Sequence, residues 1–582
     1  MFVIKLRGTR SVFWLALLSI FFGLALLPPT CFAQDVAVTM FGPKQYLRTT
    51  ASVDTFTDSF NGVPGNGTVI IQNGDGNGHN LVEDLLIEIN GVPLADWSAL
   101  LQPGYKLEAP ISMSANNSIL VILMGKPGSY LTIEAQAEIT PDATTTDVIG
   151  IGGGTMSVQN HLGDTFTLQI PPLALGEDTS ISISSLPNAL PSPIANSAYP
   201  GAVLEPEGLF FISPVSMSVT LHGAPQNSNP AMMFWLEDTN HVLAIGNQTT
   251  TPNSVAGQNY HFSTEIGAFP TPPELADNVA QLAAGGQGMP TNPEDQIVAL
   301  VSIAAYASQE IPVDPNFGPV AESAWSSAWT VATNWAKTEL NAALPADPCG
   351  LKATANMAEL FTVLQSLTLD QTANEILLAR GCSLSLDPSK VSLFVGQTWD
   401  HEITATLTDP KSKKRSCSAH WYNPNPAVAT IATSGNACVP TGVAPGIATV
   451  SAVCDGLNSN SAFSNSTEVT VCGLIGTYQG TYSGETFTRG GKPKPISGTI
   501  AVPFTQNGTS VSADIMGYTF TGTNINGKVI LEAMVPCYAS TRLCLAGING
   551  KLSSDCSTFS GSFYADKRRA LSGTFSVQLT TP

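Results

Sequence analysis

Apolar and polar positions along the chain change period several times, and each change predicts a change of element. Between residues 35 and 145 the pattern is short and strand-like. Thr68-Val69-Ile70-Ile71 and Leu85-Leu86-Ile87-Glu88-Ile89 are β-rich runs, the second followed by an Asn90-Gly91 turn. Ser118–Met124 reads as a buried strand closed by Gly125-Lys126-Pro127-Gly128, and Tyr130–Ala135 alternates with period two. Residues 147–270 continue in β: a glycine-rich turn at Gly150–Gly154, then runs at Phe166–Ile170, Thr179–Ile183, Leu204–Phe211 and Pro214–Thr220. From 272 to 380 alternation fades and Ala, Leu, Gln and Glu rise. Helices are expected over Glu274–Ala284, Pro293–Gln309, Val320–Leu344 and Lys352–Ala379, with Asn292 as a cap and Pro293 at the first helical position. Residues 383–472 return to strands. Residues 473–582 read as an antiparallel meander with turns expected at Asn507-Gly508, Asn526-Gly527 and Asn549-Gly550.

The predicted fold is therefore mostly β: several β-sandwich domains in series, a helical segment in the middle, and a C-terminal antiparallel β meander or small barrel. The expected divisions are 1–33, 35–145, 147–270, 272–380, 383–472 and 473–582. A barrel would protect its strand edges, and its interior would either be filled by side chains or hold an apolar ligand.

The first division is an address. Lys5, Arg7 and Arg10 precede an apolar run from Val12 to Leu27, broken by Pro28-Pro29. Small residues at Cys31 and Ala33 frame a cleavage after Ala33, the pattern of a secretory signal peptide. The alternative is an uncleaved signal anchor, for which about 16 apolar residues are a little short. Pro28-Pro29-Thr30 before Cys31 is a poor lipobox. No later run predicts a membrane-spanning helix in the mature chain.

Composition adds a constraint on partners. The 582 residues carry 44 acids against 24 bases, a net charge of -20, with charged residues at only 12 %. No basic stripe exists to neutralise phosphates, so nucleic acid is excluded as a partner. The segment 272–348 holds nine acids and one lysine. Within it Trp325 and Trp329 stand four apart and share a helix face, as core packing or as an aromatic ligand platform.

An exported chain meets oxidising conditions, which makes disulfides the first reading of its cysteines. The nine beyond the leader all follow position 348, with no Cys-x-x-Cys pair and no histidine at zinc-ligand spacing. Cys349 is expected to pair with Cys382, Cys537 with Cys544, and two bonds are expected among Cys417, Cys438, Cys454 and Cys472, leaving Cys556 odd. Spacing does not determine connectivity.

Two regions resemble known families. Leu384–Pro388, Val391–Thr398, Trp421, Asn423–Ile431 and Thr441–Ala452 resemble the bacterial Ig-like domain of invasin and intimin type over about 90 residues. The resemblance implies a sandwich in which Trp421 fills the gap between sheets, serving as a spacer or adhesion module. Residues 147–270, through Gly150–Gly154, Phe166–Leu175, Leu204–Phe211 and Pro214–Thr220, are similar to the β-sandwich domain shared by ankyrins and netrin receptors, a protein-interaction unit. Residues 35–145 resemble a sandwich module of secreted bacterial proteins.

Catalytic signatures are sparse. The chain contains no nucleophile elbow, zinc-protease helix, P-loop or dinucleotide fingerprint. Asn73-Gly74-Asp75-Gly76-Asn77, with Asp84 at the twelfth place, parallels a calcium loop in which alternate oxygens face one cation; a plain Gly/Asn hairpin is the alternative. His261-Phe262-Ser263 matches the tripeptide at which relatives of the ankyrin/netrin-receptor domain cleave themselves. That resemblance implies attack by the Ser263 hydroxyl on the Phe262 carbonyl, aided by His261; a strand end with Phe262 inside is the alternative. No cofactor is expected beyond a possible calcium ion. The function expected is that of an exported, non-enzymatic modular protein in adhesion, envelope architecture or binding, with a protein or glycan at the cell surface as partner. The alternatives are a secreted enzyme with a site in the helical segment, and small-ligand binding by the terminal barrel.

Overall fold

The computed structural model describes residues 34–581 apart from 51, 95–97, 195–197, 223–229, 252, 286–292, 345–347, 350–363, 365–366, 368, 416–417, 456–461, 487–491, 538–541 and 566–570. The leader 1–33, the cap Asn292 and most of the expected helix over Lys352–Ala379 lie outside the described residues.

The chain is a multidomain β protein with one helical segment in the middle and a closed C-terminal barrel. Strands between Val36 and Ile139 form two four-stranded antiparallel sheets. Their inward positions, such as Val69, Ile71, Ile87, Val121 and Ile133, alternate with exposed ones, which is the period-two pattern expected of sheets that face each other. The strand Ala143–Ile149 crosses into a second sandwich of a six-stranded and a five-stranded sheet that ends at Ala268. The two sandwiches are tied by polar contacts: the Gly42 N–H donates to Asp238 at 3.1 Å and the Thr239 hydroxyl donates to the Met40 carbonyl at 2.9 Å.

Among the described residues four helices follow: α1 (Pro272–Ala284), α2 (Pro293–Glu310), α3 (Phe317–Asn341) and α4 (Asp370–Arg380). Glu274 bonds back to Thr271 in a capping box at the start of α1, and Gly285 ends it at a φ of 57°. The α2 helix lies on the second sandwich, where the Ser302 hydroxyl donates to the Ile245 carbonyl at 2.6 Å and Tyr306 donates to the Pro230 carbonyl at 3.0 Å. Arg380 donates to the carbonyls of Glu339, Ala342 and Ala343 at the C-terminal end of α3, where cation and helix dipole attract. The tryptophan pair divides: Trp325 packs partly against the core, while Trp329 is 51 % exposed. Alanines 321, 324, 328 and 332 take the buried stripe instead, so neither a shared core face nor a shared platform forms.

Strands from Ser383 to Cys472 make two further facing sheets. Trp421 sits half-buried at the edge of their core rather than filling its centre, which Val391, Leu393, Ile403, Val450 and Val469 occupy. The barrel has eight strands: β1 (Gly476–Thr486), β2 (Lys494–Asn507), β3 (Ser510–Ile515), β4 (Tyr518–Ile525), β5 (Lys528–Pro536), β6 (Leu543–Leu552), β7 (Thr558–Ala565) and β8 (Leu571–Thr581). Each pairs with the next and β8 returns to β1, from Thr477 opposite Thr581 to Thr486 opposite Leu571. Asn526-Gly527 is a hairpin turn with both φ values positive, 53° and 76°. Asn549-Gly550 is not a turn. Both lie inside β6, where the Phe559 ring comes so close to Gly550 that a Cβ would sit 2.3 Å from it.

The structure contains the disulfides Cys349–Cys382 and Cys537–Cys544, and Cys454 is also disulfide-bonded. Two expectations are corrected. Cys472 pairs with Cys556, and Cys438 is a buried thiol. The reason is placement: Cys438 faces the sandwich core, where burial pushes its thiol up to about 12, whereas Cys472 ends its strand directly beneath the β6–β7 turn of the barrel. Cys417 lies outside the described residues.

Candidate ligand cavity of the C-terminal barrel

Outward positions on β1 are Gln479, Thr481, Ser483 and Glu485, all exposed; the alternate positions point inward. On β2 the inward set is Ile500, Val502 and Phe504. On β1 polar-out and apolar-in is the inverse of a lipid-facing strand, whereas β5 turns Ile530 and Met534 outward. No helix among the described residues is long and apolar enough to cross a membrane.

The interior has two unequal halves. One end is plugged: Leu474, Tyr478, Val529, Leu531 and Leu552 are fully buried there. Polar groups in the plug bond to one another, with the Asn524 Oδ1 left buried and without a partner. Gln506 accepts from the Leu474 N–H at 2.7 Å and from the Asn524 amide at 3.1 Å, and Tyr478 donates to the Cys556 carbonyl at 3.0 Å. This end also rests on the preceding sandwich. The Asn526 N–H donates to the Val395 carbonyl at 3.3 Å, the Phe394 ring packs against the barrel core and closes on Gly527, and the Cys472–Cys556 bond crosses the junction.

The other half is a cavity of about 440 Å³, within the range of small-molecule sites. Its wall is aromatic and aliphatic. A chain of ring contacts runs into it from the plug: Tyr478 to Phe504 at 5.5 Å, Phe504 to Phe559 at 5.5 Å, Phe559 to Phe575 at 4.9 Å. Ala546 on β6 supplies a short position at the wall, whereas the neighbouring Gly547 lies under the Tyr564 ring, which a Cβ would meet at 2.4 Å. Tyr482, Thr486 and Tyr518 bring hydroxyls to the lining, and among the described residues no Asp, Glu, His, Lys or Arg side chain lines it. The Cys537–Cys544 bond staples the β5–β6 connection at the rim. The arrangement can hold an uncharged apolar group, with hydroxyls as the polar groups of the wall among the described residues.

The other sequence candidates fall elsewhere. Asn73 is fully buried, its amide donating to the Val82 and Leu100 carbonyls at 3.2 and 3.1 Å while its oxygen accepts the Val82 N–H at 2.8 Å. Asp75 accepts the N–H groups of Asn77 and His79 and the His79 ring, bonds that lower its carboxyl to about 2. Asp84 accepts the Leu85 N–H at the start of its strand. The structure thus turns Asn73 into the sandwich, away from exposed Asp75 and Asn77, and no group of three or more Cys, His, Asp or Glu able to hold a metal is found among the described residues.

Phe262 and Ser263 form the short link between strands Ser254–His261 and Thr264–Ala268. Phe262 is buried against Phe211, with ring centroids 4.9 Å apart. Its carbonyl accepts the Gly208 N–H at 3.0 Å and its N–H donates to the Leu209 carbonyl at 3.0 Å. The His261 ring meets Trp235 edge-on at 4.7 Å. Two residues on, Glu265 is fully enclosed between the sheets with the Asn259 amide as its partner, and burial pushes its carboxyl up to about 8. Sequence reading missed Glu265; a single acid in the run Thr264-Glu265-Ile266-Gly267-Ala268 was its signal.

No protein-family model matches the chain, and no curated protein matches it. Among solved structures the chain is similar to domains 5–6 of the S-layer protein SbsC, at 14% identity over 34% of this chain and 98% of that one, with a TM-score of 0.13. It is also similar to dimeric latent PorU from Porphyromonas gingivalis, at 7% identity over 96% of this chain and 78% of that one, with a TM-score of 0.15. Both scores are too low to establish a shared fold.

Proposed function

We propose that this chain is an extracytoplasmic modular protein whose C-terminal barrel binds an elongated apolar small molecule. The observation that carries the reading is the cavity: closed by strands all round, plugged at one end, open at the other, and walled by apolar groups. An empty apolar space of this size forgoes dispersion contacts that a filled core would make, and an apolar ligand restores them. The leader and the disulfides support export. The sandwiches, by their resemblance to Ig-like and ankyrin/netrin-receptor units, serve as spacers or contact modules that position the barrel, with a surface protein or glycan as their partner.

The test is titration of the mature protein with N-phenyl-1-naphthylamine, a neutral apolar fluorophore. Saturable one-to-one enhancement is expected, and Ala546→Trp, which fills the space, should remove it while leaving the circular dichroism of the barrel unchanged. Unsaturable enhancement, or equal binding by the filled variant, rejects the proposal.

A further inference from the structure

Among the described residues the cavity wall carries no charge, but the open end does. Lys492 and Lys494, on the β1–β2 connection and the first residue of β2, are exposed; Lys494 stands opposite Thr486, which lines the cavity. Arg542, also exposed, sits in the β5–β6 connection between the two cysteines of the rim, its carbonyl accepting the Cys537 N–H at 2.8 Å. The nearby acids are Glu485, on the outer face of β1, and Asp514, which accepts the Thr519 hydroxyl at 2.8 Å. Among the described residues, a chain with nearly twice as many acids as bases thus sets three cations against two acids at the open end of its apolar space.

An unpaired ion cannot enter a wall of phenylalanine and aliphatic side chains without a large desolvation cost, so a charged ligand group must stay at the wet rim. There its sign is selected by the local field. We infer that the ligand, on the reading that this cavity is a ligand site, is a single-chain amphiphile with an anionic headgroup: its tail lies in the cavity, and its head is held at the rim by Lys492, Lys494 and Arg542. The shared chemistry is an oxyanion on a long alkyl chain, whether carboxylate or phosphate.

The experiment displaces N-phenyl-1-naphthylamine from the mature protein with four C16 probes: palmitate, hexadecyl phosphate, hexadecanol and hexadecyltrimethylammonium. In low salt both anions should compete about tenfold more tightly than the alcohol, and the cation should compete least. At 1 M salt, where the Debye length is about 3 Å, the anions and the alcohol should converge. The triple variant K492E/K494E/R542E should lose the tenfold preference and keep hexadecanol binding, which also reports that it is folded. A carboxylate-only or phosphate-only preference identifies the source of the headgroup and supports the inference. Hexadecanol competing as well as palmitate in low salt overturns the headgroup assignment while leaving the cavity a ligand site. Failure of every probe to compete overturns both readings. Adhesion to anionic vesicles without displacement of the fluorophore overturns the assignment in favour of membrane docking.

Discussion

The second sandwich and the terminal barrel are both antiparallel sheets wrapped around apolar side chains, yet one interior is filled and the other is half hollow. In the sandwich Trp235, Phe211, Phe262, Phe234 and Met217 are at most 1 % exposed and interlock between two sheets. Facing sheets settle at about 10 Å, a gap that two layers of side chains fill. A barrel lacks that freedom. Eight strands and their tilt fix the radius, and the interior is then filled or not according to residue size. Leu474 and Tyr478 fill the lower half; above them the short side chain of Ala546 leaves room. Void space in a sheet protein thus arises where closure prevents the walls from approaching.

The sharpest way to break this comparison is to truncate one large side chain in each region. Trp235→Ala should cost about 3–5 kcal/mol, because the sandwich cannot collapse onto the gap. Phe563→Ala, on a cavity wall, should cost far less and instead alter ligand affinity. Chemical denaturation of both variants checks the contrast, and equal losses would show that the barrel is as tightly packed as the sandwich. Next in size is the Cys472–Cys556 bond, which closes a loop with a sequence separation of 84. Chain entropy assigns such a bond roughly 4 kcal/mol. The double variant C472S/C556S should lower the barrel's melting temperature markedly and leave the second sandwich's transition in place.

The smallest effect is a pH dependence. Glu265 has a native value raised to about 8 from 4.5 by burial. The folded state therefore holds a proton that the unfolded state releases, so stability is fully present below about 4.5 and is lost as pH rises through 8. Between pH 5 and 7 this amounts to about 2 kcal/mol. Glu265→Gln should flatten the stability profile of the sandwich over that interval, whereas the barrel, whose cavity wall holds no Asp, Glu or His among the described residues, should show no matching slope. An unchanged profile in the variant would refute a protonated Glu265.

Strand alternation, the helical segment and the paired-turn chemistry of Asn90-Gly91 and Asn526-Gly527 were legible in the sequence because each is a local property. What depends on distant partners was not. Asn549-Gly550 has the same letters as those turns but lies in a strand, since Phe559 needs the glycine. Asn73 fits a cation loop on paper, yet Val82 and Leu100 engage its side chain. The Cys472–Cys556 pair requires knowing that a strand end and a barrel turn abut. The pairing of β1 with β8 joins residues about a hundred positions apart, and the hollow follows from that closure. Inward apolar positions read identically in a packed barrel and an open one.

The plug beneath the barrel, with Phe394 pressed on Gly527 and Cys472 bonded to Cys556, makes the vessel a cul-de-sac. On the proposed reading, a guest would depart by the door through which it came, tail last, and its residence time would be set at that doorway.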